Sequence, residues 1–424
     1  MRWLRSRQLA LLCSLAGTSA AVGVVRVIGN KARLFKAGQP LVYAGAVHTV
    51  QQPPAAGGVV DVTDGAGEPI GWGVWNGASL YRVRLLALAH EGLEHRCVAT
   101  LLRARLREAA QRREACGLPS ERTSAFRLVN GEGDRLSGLT VDLFGRVAVA
   151  VSSALWLELR REAVEAALLA LPDVDAVVWR RSEARLKQDG WQEEVVEEAD
   201  GKGDVKGDVK GEVEVKENGL SFLVAPVLGQ KSGFYCDQRD NRAMFAEFCE
   251  GKRMLDLFCY SGGFSLAAAR AGASACVGVD SSEFAISAAL GNAQLNGLSH
   301  SCEFTKSDVI AFLKETEEGS FDLVVCDPPK LAPSVKDLTR ATRKYKQING
   351  LAMRALKKGG LMLSCTCSAA MTQSGTFVKM LHEAATAQGR TITVLKTTGA
   401  AADHVVHPCC PENNYLTAVL IHVG

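Results

Sequence analysis

The sequence contains no Cys-x-x-Cys pair, although it has 13 cysteines in 424 residues. They are odd in number and irregularly spaced, which favours free thiols in a reducing compartment over a disulfide framework. A late cluster of His404, His407, Cys409 and Cys410 has no second ligand pair at the spacing of a zinc site. We therefore predict no structural metal.

Long apolar runs and a large excess of one charge are missing as well. No run reaches the roughly 20 residues that a membrane-spanning helix needs, so we expect no membrane segment. The net charge is only +3, so any affinity for nucleic acid must come from local basic patches. The length exceeds that of one typical core and predicts two or three domains.

Acidic residues are missing from the N-terminal part, where none precedes Asp61. Residues 1–22 combine three arginines with an apolar run and a small-residue end, a pattern typical of a removable targeting segment. A disordered N-terminus without a role is the alternative.

Residues 23–92 contain several short alternating runs separated by Gly and Pro, which predicts a small β-barrel. Tyr43 and Trp75 are candidates for stacking on bases, although Trp72 and Trp75 fit a core equally well. The cations that would form one basic face are Lys31, Arg33, Lys36, Arg82 and Arg84.

Residues 93–218 predict a small α+β domain. An arginine-rich helix over residues 93–116 has a buried stripe at four-residue spacing; a hairpin, a helix from about Leu155 to Leu171 and a strand at Ala176–Arg180 follow. The segment 195–217 alternates charge with glycine, which predicts a flexible, solvated insert.

From Gly219 to the end the pattern is strictly α/β. It predicts a doubly wound, seven-stranded, Rossmann-like sheet of the methyltransferase type, because the last two strands lack an intervening helix and should be antiparallel. The predicted strands are Met254–Phe258, Ala275–Val279, Cys302–Thr305, Phe321–Cys326, Leu361–Thr366, Thr391–Lys396 and Tyr415–His422.

The predicted ligand site lies beyond the carboxyl ends of these strands. Gly262 and Gly263 form a turn that lets a ligand approach the backbone, and Asp280 is placed to accept hydrogen bonds from a ribose. A nicotinamide cofactor would share this pattern. The first strand adds Asp256 and the third Asp308, a candidate for an adenine amino group.

The fourth strand ends in Asp327-Pro328-Pro329-Lys330, a stiff turn that presents Asp327 to a planar amine or base. Four such elements in order predict binding of S-adenosylmethionine (SAM). The fifth strand ends with Cys365 and Cys367. Attack of a thiolate on C6 of a pyrimidine activates C5 for methylation, and by position both cysteines qualify.

Six stretches in this order resemble the RlmI-type family of bacterial 23S rRNA cytosine-C5 methyltransferases. They are GQKSGFYCDQRDNR (Gly229–Arg242), LDLFCYSGGFS, VVCDPPK, YKQIN (Tyr345–Asn349), SCTCS and AADH (Ala401–His404). The resemblance covers about residues 24–424 apart from the charged insert. It implies a PUA domain, a small linker domain and a SAM-dependent methyltransferase domain at residues 219–424.

The resemblance matches the nucleophile to Cys367. It does not identify the base that removes the C5 proton, for which Asp327 and the Asp403–His404 pair are candidates. The expected cofactor-binding residues are Lys231, Phe234, Asp237, Asp256, Phe258, Ser261, Gly262, Gly263, Asp280, Ser281, Asp308, Asp327 and Pro328. Contacts to RNA are expected at Lys330, Arg340, Arg343, Lys344 and Lys346.

These observations predict a large-subunit rRNA methyltransferase that forms 5-methylcytosine, with a homodimer as a further expectation. A bacterial-type enzyme behind residues 1–22 predicts a plastid or mitochondrial location, with a cytoplasmic one as the alternative. Two rival functions stay open: methylation of a purine nitrogen without a covalent adduct, and a non-catalytic RNA-binding factor in ribosome assembly.

Overall fold

The structure is a computed structural model that describes residues 22–92, 96–192, 204–209, 211–227, 233–332 and 335–424. It contains two compact units. The first comprises residues up to Cys97 together with Ala184–Gln192, and the second comprises Val98–Glu183 and Glu193–Gly424. Most of the predicted targeting segment, residues 1–21, lies outside the described residues.

The N-terminal part of the first unit is a curled six-stranded sheet with one α-helix, as the short alternating runs predict. The strands follow the order β2-β6-β5-β4-β1-β3. Their bounds, with the helix, are β1 Gly23–Val27, α1 Gly29–Lys36, β2 Leu41–Tyr43, β3 Val47–Gln51, β4 Val59–Thr63, β5 Pro69–Trp75 and β6 Tyr81–Leu88.

Most side chains predicted to form the nucleic-acid face of this unit are buried or paired within the protein. Trp72 and Trp75 are both buried, so Trp75 is a core residue. Lys36 pairs with Asp64 at 2.7 Å, and Arg82 donates to the carbonyl oxygens of Gly77 and Ser79. Buried Arg84 also lies 3.5 Å from the Asp189 carboxylate. The partners of Lys36 and Arg84 could not be read from the sequence, because they lie 28 and 105 residues away along the chain.

The second unit begins with a five-stranded sheet in the order β11-β10-β9-β8-β7. Long helix α2 has the predicted buried stripe, but its Arg113 is also buried and pairs with Asp134 at 2.6 Å. The elements are α2 Val98–Ala115, β7 Ala125–Asn130, β8 Leu139–Phe144, β9 Val147–Ser152, α3 Leu155–Glu158, α4 Arg161–Leu168, β10 Ala176–Arg181 and β11 Asp204–Lys206. Helix α5 (Glu183–Gln188) interrupts this series and belongs, from Ala184 on, to the first unit.

The charged insert contains strands where the sequence predicts a flexible loop. Strand β11 pairs antiparallel with β10, and β12 (Val213–Glu217) pairs antiparallel with β13 (Leu220–Val224). Between the latter two, Asn218 and Gly219 both have positive φ, 49° and 86°. An Asn-Gly pair between strands is a strong hairpin signal, and the charge repeat obscured it.

The rest of the unit is a seven-stranded sheet in the order β16-β15-β14-β17-β18-β20-β19. Every neighbouring pair is parallel except those of β20, so the predicted antiparallel ending is confirmed. The strands are β14 Arg253–Leu257, β15 Ala275–Asp280, β16 Cys302–Lys306, β17 Phe321–Cys326, β18 Leu356–Thr366, β19 Ile392–Thr398 and β20 Thr417–Val423.

Seven helices accompany this sheet among the described residues. The strand order reverses between β14 and β17, and in such sheets ligands bind beyond the carboxyl ends of the strands at that point. The helices are α6 Arg239–Ala246, α7 Gly263–Arg270, α8 Glu283–Leu295, α9 Val309–Glu315, α10 Leu338–Ala355, α11 Ala369–Ser374 and α12 Phe377–Thr386.

Candidate active site

The turn between β14 and α7 has an unusual backbone. Phe258 and Tyr260 have positive φ, 64° and 47°, although neither is glycine, and such strain persists only where the surroundings enforce it. The enforcing group is Asp280, whose Oδ2 accepts the Tyr260 N–H at 3.1 Å and whose Oδ1 accepts the Ser282 N–H at 2.9 Å. Each carboxylate oxygen keeps a lone pair for a ribose hydroxyl, so this end of β15 fits the nucleoside part of SAM.

The two glycines of the turn are required by internal packing. A Cβ on Gly262, where φ is 80°, would lie 3.0 Å from the Phe304 ring, and a Cβ on Gly263 would lie 2.9 Å from Cδ of Arg242. Both directions point into the protein. Packing and backbone conformation therefore require these glycines, and close approach of a ligand to their backbone stays a prediction.

Asp256 has a structural role that the sequence reasoning did not predict. It is buried, and its Oδ2 accepts the Ser265 N–H at 3.0 Å and the Ser265 hydroxyl at 2.7 Å. Burial raises the pKa of this carboxyl to about 6, while the bonds from Ser265 oppose that rise. Asp256 thus fastens the first turn of α7 to β14.

Several other residues that were predicted to bind the cofactor also make contacts within the protein. Asp308 caps α9 by accepting the Ala311 N–H at 2.9 Å, and Phe234 is a core residue 4.9 Å from the Phe222 ring. The Asp237 carboxylate accepts the Tyr415 hydroxyl at 2.7 Å. Ser261 is buried, Ser281 is exposed beside Asp280, and Lys231 lies outside the described residues.

Asp327 directly follows β17 at the same edge of the sheet. Its N–H donates to the Leu257 carbonyl at 3.3 Å, and its Oδ2 accepts Nε2 of Gln238 at 3.0 Å. Burial, reinforced by the Asp237 charge, raises the pKa of the carboxyl to about 7. Asp327 can therefore hold or release a proton near neutrality. Pro328 beyond it is buried, and Lys330 is exposed.

The two cysteines of the fifth strand differ in exposure. Cys365 lies within β18, is 0% exposed, and has a pKa raised far above the usual range by burial. Cys367 lies just beyond the strand and is only half-buried. Because β17 and β18 are parallel with Cys326 opposite Ser364, Asp327 and Cys367 emerge at the same edge. Cys367 is thus the more accessible of the two cysteines.

Tyr235, which sequence reasoning missed, lies among these groups. Its ring packs edge-on against Tyr260, with 5.0 Å between ring centroids. Burial raises the pKa of its hydroxyl, and the nearby charges of Asp237, Asp327 and Cys367 raise it further. The half-buried Tyr235 ring therefore contacts the turn and lies within electrostatic range of the predicted nucleophile.

The YKQIN stretch braces the strand end that carries Cys367. The Tyr345 hydroxyl is 2.8 Å from the Thr366 hydroxyl and 3.4 Å from that of Ser368. Asn349 accepts the Ser364 hydroxyl at 2.6 Å. The YKQIN motif singled out these residues in the sequence. Their hydrogen-bond partners in and just after β18 appear only in the structure.

Asp403 is a poor candidate for a base. It is fully buried and forms a bidentate pair with Arg239 at 2.9 and 3.1 Å. Although burial raises its pKa, His404 and Arg239 outweigh this effect and hold the pKa well below the usual range. His404, 3.1 Å away, is buried beside it. The Asp403–His404 pair therefore belongs to a structural ion network.

The predicted RNA-binding cations lie after the Asp327 turn and along α10. Lys330, Arg340, Arg343 and Lys344 are exposed, whereas Lys346 pairs with Glu383 on α12 at 3.3 Å. Arg340, although exposed, also lies 3.5 Å from the Asp337 carboxylate. Lys330, Arg343 and Lys344 are thus the predicted cations most available to phosphates, whereas Arg340 and Lys346 have acidic partners within the chain.

Comparisons with known proteins agree with this architecture. A methyltransferase-domain model matches residues 249–408 and a PUA-like domain model matches residues 25–88. A ribosomal RNA large subunit methyltransferase I from Aeromonas hydrophila is 34% identical over 95% of this chain and 99% of its own length. The protein of that name from Shewanella amazonensis is 34% identical over 91% and 95%. The chain belongs to this methyltransferase I family.

Solved structures show the same fold. A methyltransferase crystallised with S-adenosylhomocysteine (SAH) superposes with a TM-score of 0.77 over 94% of this chain and 99% of that one, at 21% identity. A structure assigned as a SAM-dependent methyltransferase from Streptococcus mutans gives 0.76 over the same shares, also at 21% identity. SAM is accordingly the cofactor of this family member, and a contact between Asp280 and its ribose stays a prediction.

The relatives also correct the predicted location. They are bacterial proteins, and bacteria have no plastids or mitochondria, so the organellar prediction is wrong. Within the described residues, no helix is long and apolar enough to cross a membrane. The same part of the chain contains no cluster of three or more His, Cys, Asp or Glu side chains arranged for a metal ion.

Proposed function

We propose that this protein methylates C5 of a cytosine in large-subunit ribosomal RNA through a covalent bond between Cys367 and C6. The observation that carries the proposal is the half-buried Cys367 at the end of β18, at the same sheet edge as Asp327 and Asp280. The burial of Cys365 favours Cys367 over it as the nucleophile, because a fully buried thiol with a raised pKa ionises less readily and is less accessible to a base.

The covalent step solves a chemical problem, since C5 of cytosine is a poor nucleophile. Attack of the Cys367 thiolate on C6 breaks the C5–C6 double bond and moves electron density onto C5 and N3. The bound cofactor supplies an electrophilic methyl group. Loss of the C5 proton to a base then restores the double bond and expels the thiolate.

Asp327 suits the role of proton donor to N3 during the attack. With a pKa near 7, a substantial share of its carboxyl groups is protonated at neutral pH, and a proton delivered to N3 stabilises the charge that develops there. When the thiolate leaves, N3 returns the proton to Asp327. The residue therefore ends the cycle in its starting state.

Two features support ribosomal RNA as the substrate. The relatives are named as large-subunit rRNA methyltransferases, and exposed cations follow the Asp327 turn along α10. Cations of this kind contact phosphates and supply affinity without reading sequence. The target nucleotide must also leave its stack to reach Cys367, at a cost of a few kcal/mol.

The test is to incubate purified protein with unmodified large-subunit rRNA and methyl-labelled SAM, then identify the labelled nucleoside by mass spectrometry. We expect one 5-methylcytosine, absent when Cys367→Ala replaces wild type. Label in a methylated purine would support the purine-nitrogen alternative. RNA binding without any transferred label would support a non-catalytic factor.

A further inference from the structure

A chain of hydrogen bonds leads from the end of β19 to Asp327. Nδ2 of Asn241 donates to the Gly399 carbonyl at 3.0 Å and to Oε1 of Gln238 at 2.6 Å. Nε2 of Gln238 then donates to Oδ2 of Asp327 at 3.0 Å. Two amide side chains thus connect a backbone carbonyl to the carboxyl at the proposed catalytic centre.

The direction of this chain is fixed at its far end. A side-chain amide can be turned to exchange its oxygen and nitrogen, so its orientation must follow from its partners. The Gly399 carbonyl has no proton and can only accept, so it requires the nitrogen of Asn241. The Thr398 hydroxyl donates to Oδ1 of Asn241 at 2.6 Å and agrees with that orientation. Gln238 must then present its oxygen to Asn241 and its nitrogen to Asp327.

Both amides are held rigidly and away from water. Gln238 is 3% exposed and Asn241 2% exposed, so solvent does not compete for these bonds. Arg239, which follows Gln238 in the chain, forms the bidentate pair with buried Asp403. This ion pair fixes the backbone from which Gln238 reaches Asp327.

We propose that Gln238, oriented by Asn241, is a positioning residue that keeps the proton of Asp327 on Oδ1. An N–H aimed at Oδ2 excludes a hydroxyl hydrogen from that side, so the protonated carboxyl must carry its hydrogen on the other oxygen. Among the described residues, no side chain or backbone group is hydrogen-bonded to Oδ1. The proton is thereby directed to the N3 atom of a bound cytosine, a step that rests on the proposed function.

The electrostatic surroundings of Asp327 come from several elements. Asp237 and Asp256 raise its pKa, while Gln238 and Arg242 lower it. The other titratable groups that interact with it electrostatically are Tyr235, Cys326 and Cys365. Gln238 is the only hydrogen-bond donor to the carboxylate in the described part of the chain, so replacing it should change the titration of Asp327 in a known direction.

The experiment compares pH–rate profiles of single-turnover methyl transfer. Gln238→Met keeps the length of the side chain but removes the donor, so the pKa of Asp327 should rise and the alkaline limb should move up by about one pH unit. The rate should fall roughly tenfold, with KM for RNA little changed. Gln238→Glu should move the limb further, because two adjacent carboxyls share one proton. The control is Gln294→Met on α8, an exposed glutamine that should leave the profile unchanged.

A second variant tests whether Asn241 acts on Asp327 through the orientation of Gln238. Asn241→Ala does not touch Asp327, yet it frees the Gln238 amide to turn, so the limb should move in the same direction by a smaller amount. Titration of the Asp327 carboxyl carbon by NMR, with the signal identified by its loss in Asp327→Asn, should show the same shifts without any need for activity. The Gln238→Met and Asn241→Ala variants should both keep wild-type SAM affinity.

If folded Gln238→Met shows an unchanged alkaline limb and an unchanged titration of the Asp327 carboxyl, Gln238 does not position the Asp327 proton. That result would overturn the proposal even if 5-methylcytosine is formed. A wild-type protein that makes no 5-methylcytosine would instead overturn the proposed function. The NMR titration would then still decide whether Gln238 controls Asp327. The two failures are therefore distinguishable.

Discussion

At the scale of single residues, four aspartates that look alike in the sequence have different roles. Asp256 and Asp308 hold helix N-termini, Asp327 keeps a raised pKa, and Asp280 fixes the strained turn. Their positions in or just after the strands were predictable. Their roles were not, because each depends on which N–H or hydroxyl the fold brings to the carboxylate.

Asp280 gives the clearest test at this scale. Asp280→Ala should weaken SAM binding by roughly 1.5–3 kcal/mol, because charge-assisted hydrogen bonds to the ribose are lost. Calorimetry measures the affinity. Asp280→Asn, which keeps one acceptor oxygen, should lose less.

Asp280→Ala also removes the acceptor of the Tyr260 and Ser282 N–H groups. The thermal unfolding of this variant without SAM must therefore be measured together with its SAM affinity. If folded Asp280→Ala binds SAM as tightly as wild type, this acid is not a ligand.

At the scale of elements, the strand–turn–helix unit from β14 to α7 depends on close packing at Gly263. The neighbouring Arg242 cannot move away easily, because it forms a buried bidentate pair with Glu217 at 2.6 Å for each bond. Gly263→Ala would place a Cβ 2.9 Å from Cδ of Arg242. We expect a loss of roughly 1–3 kcal/mol of folding stability, measured by denaturant unfolding.

Gly291 provides the matched control. It lies in helix α8 with nothing within 4 Å of the position of a Cβ. Gly291→Ala should therefore stabilise the protein by roughly 0.5–1 kcal/mol through helix propensity. Equal effects of the two substitutions would show that the contact with Arg242 is not the reason for Gly263.

Elements were easier to predict than contacts. The alternation of apolar runs and helical segments predicted all seven strands of the large sheet and its antiparallel ending, with small shifts of the strand ends. The Asn218–Gly219 hairpin was missed because the surrounding charge suggested a solvated segment, although Val215 is buried. Local patterns determine strands and helices, whereas pairs such as Arg239–Asp403 join residues far apart in the chain.

At the scale of the whole molecule, the parallel sheet brings together the ends of β14, β15, β17 and β18, and exposed cations lie nearby on α10. The charge of the molecule is nearly balanced, so RNA affinity should depend on such local cations. The double variant Arg343→Gln/Lys344→Gln should weaken binding and reduce the slope of log K against log salt by roughly 1.4–1.8, since each lost phosphate contact accounts for about 0.7–0.9.

Lys252 and Lys358 provide the control for this prediction. Both are exposed and lie at the amino ends of β14 and β18, the opposite edge of the sheet. The variant Lys252→Gln/Lys358→Gln should leave the salt slope unchanged. If the two double variants reduce the slope equally, the basic residues of α10 are not a specific contact.

The covalent bond between Cys367 and C6 is tested most directly with RNA that carries 5-fluorocytosine at the target position. Fluorine cannot leave C5 as a proton does, so the adduct should accumulate as a band that survives a denaturing gel. Wild type and Cys365→Ala should form this band and Cys367→Ala should not, with SAM binding intact in all three. A band that persists in Cys367→Ala and disappears in Cys365→Ala, or no band while methyl transfer proceeds, would contradict the account.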